Sequence, residues 1–246
     1  MSPSFIKLAN NRKIAYHLSA GKTPCVMFFG GFNSDMNGTK VTSLETFCKE
    51  REQMFIRFDY SGHGESDGKF MDGTIGSWKE DALNIIDSIA PDNNIFVGSS
   101  MGAWIAMLCA IERKEKLAAL IGIASAPDFT ENLIWKKLNE EQRERMGIYG
   151  VYYAPSCYGE DPYPITMKLI EEGRNHLILD KKIDIDVPVR LLHGMKDSDV
   201  PFDTSAKIAH AINSDDINIT LIKDGDHRLS QQKYLDILFD KVGEFI

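Results

Sequence analysis

Short, nearly continuous apolar runs alternate along the chain with longer stretches whose apolar residues recur every three or four positions. The runs at 25–29, 54–59, 94–97, 117–123, 189–193 and 217–222 are nearly continuous in apolar residues. Strands of this kind are buried on both sides, as in a parallel sheet covered by helices. The stretches between them predict helices at about 41–51, 75–90, 101–111, 205–212 and 230–246. Within 75–90, Trp78, Ala82, Ile85, Ile86 and Ile89 fall on one helical face. At the start, residues 4–9 and 13–19 flank Asn10-Asn11 and predict a hairpin at one sheet edge. Alternating strands and helices predict an α/β fold with a mostly parallel central sheet and helices on both faces.

Residues 127–187 break this rhythm. They contain no convincing buried strand, and helical pieces are expected near 129–138, 140–146 and 165–174. Five of the chain's eight tyrosines lie here: Tyr149, Tyr152, Tyr153, Tyr158 and Tyr163. An insertion too long for a simple connection is expected to be a lid or a binding element, here a small helical lid whose tyrosines bear on what binds. The expectation is a single domain, 1–246, with a lid insertion at about 127–187.

Charge narrows the function classes. With 28 basic and 36 acidic residues the chain carries −8 and a pI near 5.3, which argues against nucleic-acid binding. No stretch approaches the roughly 20 apolar residues of a membrane span. The first residues resemble neither a cleavable signal nor an Arg-rich leader. Cys25, Cys48, Cys109 and Cys157 form no CxxC pair and are expected to be reduced core residues, which points to a cytoplasmic location. The glycosylation patterns at Asn37 and Asn218 are taken as chance matches. No two histidines share a ligand spacing, so no metal site is expected, and no cofactor is expected either.

The sharpest chemical signal is Gly98-Ser99-Ser100-Met101-Gly102, a G-x-S-x-G between an apolar strand and a helical run. That context is the one a nucleophile elbow requires, and it makes Ser100 the candidate nucleophile. A glycine-rich turn merely joining strand to helix carries the same pentapeptide; the alternation around it favours the catalytic reading. Ser99 is expected to pack. A serine hydroxyl needs a base, and the base an orienting acid. Asp197 follows the run at 189–193 and His227 follows the last strand, giving the chain order Ser, acid, His. Asp199 and Asp128 compete with Asp197. His193 is expected to be structural, His17, His176 and His210 to be surface or packing residues without partners, and His63 to sit in a glycine-rich loop. For the oxyanion, the Met101 N–H and a donor from Gly30-Gly31-Phe32, assigned to Phe32, are the candidates.

From about Cys25 to the C-terminus these features together resemble the α/β-hydrolase superfamily. Asp59-Tyr-Ser-Gly62-His-Gly64-Glu-Ser66 looks like its D-x-x-G-x-G-x-S turn. Met36-Asn-Gly-Thr-Lys40, Arg57-Phe-Asp-Tyr-Ser-Gly62, Val97-Gly-Ser-Ser-Met-Gly-Ala-Trp104, Arg190-Leu-Leu-His-Gly-Met-Lys-Asp197 and Asp226-His-Arg228 are similar to the abhydrolase-domain subfamily of acyl thioesterases and esterases, including bacterial relatives. Where many relatives carry His-Gly in the oxyanion loop, this chain has Phe29-Gly30, a change that leaves backbone donation intact.

The resemblance implies an α/β-hydrolase fold, a triad of Ser100, Asp197 and His227, and oxyanion donors Phe32 and Met101. It implies a serine hydrolase of esters or thioesters acting on a small-molecule or lipid-acyl substrate, or on an acylated protein. A serine aminopeptidase-like enzyme is the nearest alternative. Its grip on an ammonium would fall to Glu131, Glu140, Glu141, Glu171 or Glu172, which look like solvated helix faces. A non-catalytic binding module on the same fold is the other. The sequence specifies no oligomeric state.

Overall fold

The computed structural model describes residues 2–154 and 162–246; Cys157 and Tyr158 lie outside the described residues. The strands are β1 (Ser4–Lys7), β2 (Lys13–Ser19), β3 (Lys22–Phe29), β4 (Gln53–Phe58), β5 (Asn94–Ser99), β6 (Leu117–Ile123), β7 (Val151–Ala154), β8 (Tyr163–Thr166), β9 (Val189–Gly194) and β10 (Ile217–Ile222). The helices are α1 (Thr39–Lys49), α2 (Ile75–Ile89), α3 (Met101–Glu112), α4 (Glu140–Tyr149), α5 (Met167–Gly173), α6 (Thr204–Ala211) and α7 (Gln232–Gly243). Eight strands form one sheet in the order β1-β2-β4-β3-β5-β6-β9-β10. From β4 to β10 neighbouring strands are parallel. The expected hairpin, β1–β2, joins antiparallel at the β4 edge.

Strand alternation divides the core in two. Cys25, Met27 and Phe29 of β3 pack on one face with α2 and α3. Val26 and Phe28 pack on the other with α1 and α7. Successive side chains point to opposite faces, so a strand covered by helices on both sides is apolar along most of its length. The rule weakens at β10, the last strand, where Ile219 and Leu221 are exposed. The α2 N-terminus is closed by a capping box in which Thr74 and Ser77 each bond the other's backbone N–H.

The segment between β6 and β9 is not wholly helical as expected. A π-helical turn (Thr130–Ile134) and a 3-10 turn (Trp135–Lys137) lead to α4, then to a two-stranded antiparallel hairpin of β7 and β8, then to α5. Strands of four residues are too short to show a period, and Pro164 obscures the second. The C-terminal end of the segment is fastened to the main body. Glu172 accepts the Gly76 N–H at the start of α2, and Trp104 of α3 donates to the His176 carbonyl. The buried Asp128 carboxylate accepts the N–H groups of Ile178 and Leu179. Glu172 is therefore not a solvated face, and its partner at 2.6 Å is His176, for which the sequence offers no partner.

Candidate active site

Ser100 stands between the end of β5 and the start of α3, with φ 56° and ψ −120°. A non-glycine residue rarely adopts this backbone, and it is held here by what surrounds it. The Ser100 N–H donates to the Ile123 carbonyl at 2.9 Å, and the Ala103 and Ala126 N–H groups donate to the Ser100 carbonyl. A Cβ on Gly98 would strike the Ala103 backbone, and one on Gly102 would strike the Phe29 and Gly30 carbonyls. The two glycines of the pentapeptide are thus required by close backbone approach.

His227 Nε2 lies 3.1 Å from Ser100 Oγ, and His227 Nδ1 lies 2.8 Å from Asp197 Oδ2. The carboxylate fixes the imidazole proton on Nδ1 and leaves Nε2 free to accept the serine proton. Asp197 is itself held at four points. Its Oδ1 accepts the Asp199 and Val200 N–H groups, and its Oδ2 is shared between His227 and His193 Nε2. Burial pushes the Asp197 carboxyl upward, but the bonds from His193 and His227 outweigh it and hold the group well below the usual carboxylate range. The structure brings Asp197, rather than Asp199 or Asp128, against His227; Asp128 is occupied beneath the segment that follows β6. His193 is structural as expected, with Nδ1 2.8 Å from Ser205 Oγ.

After β3 the chain turns at Gly31–Ser34. The Ser34 N–H donates to the Gly31 carbonyl at 3.3 Å, and Asn33 has a left-handed φ of 53°. A Cβ on Gly31 would come 3.6 Å from the Ser100 Cβ, so this loop runs alongside the candidate nucleophile. The Phe32 ring packs edge-on against Phe70, Trp78, Phe129 and Tyr163. Met101 opens α3, and its N–H precedes the intrahelical bonding pattern.

Ser100, His227, Phe32 and Met101 line one cavity of about 570 Å³, within the usual range for small-molecule sites. Phe129, Leu133, Ile134, Ala154, Tyr163 and Ile165 contribute an apolar part from the segment between β6 and β9. Ser34, Asp35, Thr39 and Lys40, after β3, contribute a polar part. Of the five tyrosines expected to shape binding, Tyr163 lines the cavity, Tyr149 and Tyr153 are exposed, and Tyr152 accepts a bond from Gln142. One contact in the cavity wall was not legible in the sequence. Lys40 Nζ donates to Ser99 Oγ at 2.8 Å, so Ser99 is a hydrogen-bonding residue rather than only a packing one. Burial draws the Lys40 ammonium down to about 8, against the pull of Asp226 and Asp197. Lys40 falls within one of the motifs already singled out, but nothing in its spacing revealed this contact. Among the described residues no three His, Cys, Asp or Glu side chains gather where they could hold a metal ion. No helix among them is long and apolar enough to cross a membrane.

Comparison with known proteins gives concordant matches. A family model described as serine aminopeptidase, S33, matches residues 23–147. The mitochondrial palmitoyl-protein thioesterase ABHD10 of Homo sapiens is 39% identical over 246 residues, all of this chain and 80% of that protein. The Mus musculus protein of the same name is 40% identical, covering all of this chain and 82% of its own length. The solved structure of mouse alpha/beta hydrolase domain-containing protein 10 superposes with a TM-score of 0.92 at 39% identity, over 99% of this chain and 98% of that one. A crystal structure of an Agrobacterium vitis protein superposes with a TM-score of 0.94 at 36% identity, over 100% and 98%. These matches correct the expected cytoplasmic location, because the curated relatives are named mitochondrial. That expectation leaned on reduced cysteines, which any reducing compartment permits.

Proposed function

Since the chain belongs to the α/β-hydrolase family of its palmitoyl-protein thioesterase relatives, we propose that it is a serine hydrolase cleaving carboxylic esters or thioesters of acyl groups through an acyl-enzyme. The observation that carries this reading is the unbroken chain from Ser100 Oγ through His227 to Asp197, opening onto a cavity with an apolar part. Ser100 attacks the acyl carbon as His227 Nε2 takes its proton. Asp197 keeps the imidazole in the required tautomer and stabilises the imidazolium that forms. The Phe32 and Met101 N–H groups receive the negative charge on the acyl oxygen. His227 then protonates the departing alkoxide or thiolate, and later activates the water that releases the acid. The segment at about 127–187 acts as a lid on a single domain, supplying apolar wall to the acyl group.

Aminopeptidase chemistry, which the family model's description suggests, fits less well. Glu131, Glu140, Glu141, Glu171 and Glu172 do not line the cavity; Glu131 pairs with Arg174 and Glu172 with His176. Replacing Ser100→Ala should abolish hydrolysis of p-nitrophenyl acyl esters and of acyl thioesters while the protein stays folded. Full turnover by that variant would end the proposal. Faster cleavage of alanyl or prolyl anilides than of aryl esters by the unaltered protein would favour the peptidase instead.

A further inference from the structure

The reaction above leaves the buried side chain of His63, beside the site, unused. His63 lies in the glycine-rich turn after β4, 4% exposed, and its ring is boxed by Tyr60, Phe70 and Trp78 at centroid distances of 5.7, 5.1 and 5.1 Å. An apolar ring would fill such a box without the cost of burying two polar nitrogens. Both nitrogens are used. Nδ1 lies 3.4 Å from the Ser61 carbonyl, an acceptor, so the proton resides on Nδ1. Nε2 then accepts the Asn33 N–H at 3.3 Å. Burial draws the imidazole down to about 4, so the ring is neutral at working pH and keeps that lone pair. A protonated ring would donate from both nitrogens and lose the bond.

The far side of this contact is bonded at several points. Ser61 donates from its N–H and its hydroxyl to the buried Asp81 carboxylate, and its carbonyl also accepts the Trp78 indole N–H. The near side is the loop beside Ser100. There the Ser34 N–H pins the Gly31 carbonyl, and with it the Gly31–Phe32 peptide plane. The Asn33 N–H belongs to the next peptide, and His63 pins that one. Phe32 and His63 also share Phe70 and Trp78 as ring neighbours.

We infer that His63 is a positioning residue for oxyanion stabilisation: by accepting the Asn33 N–H it holds the Gly31–Ser34 turn so that the Phe32 N–H stays directed at the acyl oxygen. This rests on the reading of Phe32 as an oxyanion donor in a Ser100 hydrolase.

The test compares His63→Phe, which fills the box without an acceptor, with His63→Gln, whose Oε1 extends about as far as Nε2. His63→Met serves in place of His63→Phe should the phenyl ring prevent folding. Each is measured for kcat and KM on a p-nitrophenyl ester, for melting temperature, and for inhibition by an acyl trifluoromethyl ketone, which forms an oxyanion on the enzyme. Removing the acceptor should lower kcat about tenfold or more with KM changed less than about twofold. Trifluoromethyl ketone affinity should fall by a similar factor, and His63→Gln should recover most of both. The inference is overturned by unchanged kcat in a folded His63→Phe or His63→Met protein, by a kcat loss without loss of ketone affinity, or by His63→Gln behaving no better than the apolar variants. Ser100→Ala, run in parallel, separates the two readings. Its activity would remove the serine mechanism altogether, whereas its inactivity beside a fully active His63→Phe removes the role of His63 alone.

Discussion

Asp197 and His193 face each other at 3.1 Å, both without side-chain exposure, and the same Asp197 oxygen reaches His227. The acid of the proposed triad is thus clamped from behind. Asp197→Asn keeps the shape but offers an amide to His227 and His193, favouring the wrong imidazole tautomer. Ester turnover should fall by about 10³–10⁴ with little change in KM. Steady-state kinetics on a p-nitrophenyl ester, with circular dichroism to check the fold, measures it; a loss below tenfold would contradict the assignment.

Gly102 is required by the approach of α3 to the loop after β3. Gly102→Ala presses a methyl group against the Phe29 and Gly30 carbonyls, which belong to backbone and cannot swing away. The expected outcome is a loss of about 1–3 kcal/mol in stability together with most of the activity. Thermal unfolding and turnover should decline together; a Gly102→Ala protein as stable and active as the original would refute the packing argument.

Leu133 and Ile134 line the apolar part of the cavity. Leu133→Trp fills part of that volume and leaves the Ser100, His227 and Asp197 side chains unaltered. Activity should shift toward shorter acyl chains, with long-chain esters losing about tenfold relative to short ones. A rate series over acyl length, on matched oxygen esters and thioesters, reads this directly, and an unchanged profile would place the acyl group elsewhere.

Glu45 ties α1 to the sheet, accepting from Ser19 of β2 and Arg57 of β4. Burial raises its carboxyl, yet bonds from Lys49, Ser19 and Arg57 prevail and hold it at about 2. Arg57 in turn donates to the Met36 carbonyl and to Asn37 Oδ1. A carboxyl depressed by folding contributes stability that is present above its ordinary pKa near 4.5 and lost as pH falls toward 2. Glu45→Gln should cost about 1 kcal/mol at pH 7 once screening is counted. Chemical denaturation from pH 7 to pH 2 should show the gap between the two proteins closing below about pH 4.5. A constant gap would disprove the linkage.

Much of the fold and of this candidate site is legible in the sequence. The apolar runs identified the strands of the parallel sheet, because strands covered on both faces are nearly continuous in apolar residues. The G-x-S-x-G between a strand and a helix pointed to Ser100, and chain order pointed to Asp197 and His227. The segment at 127–187 was less legible. Its four-residue strands are too short for a period, so the β7–β8 hairpin was unexpected. The tyrosine count there suggested a binding cluster, yet only Tyr163 among the described tyrosines of that set lines the cavity.

The sequence by itself determined what local patterning encodes: which segments are strands and helices, where the strained turn falls, and which residue types stand at strand ends. Tertiary structure alone decided the partnerships. Asp197 and Asp199 are two residues apart and chemically alike, and only the fold brings one of them to His227. His63 and Asn33 are 30 positions apart, Lys40 and Ser99 are 59 apart, and no periodicity links them. Such pairs are set by how the sheet stacks its strand ends, a long-range geometry that a local pattern does not contain.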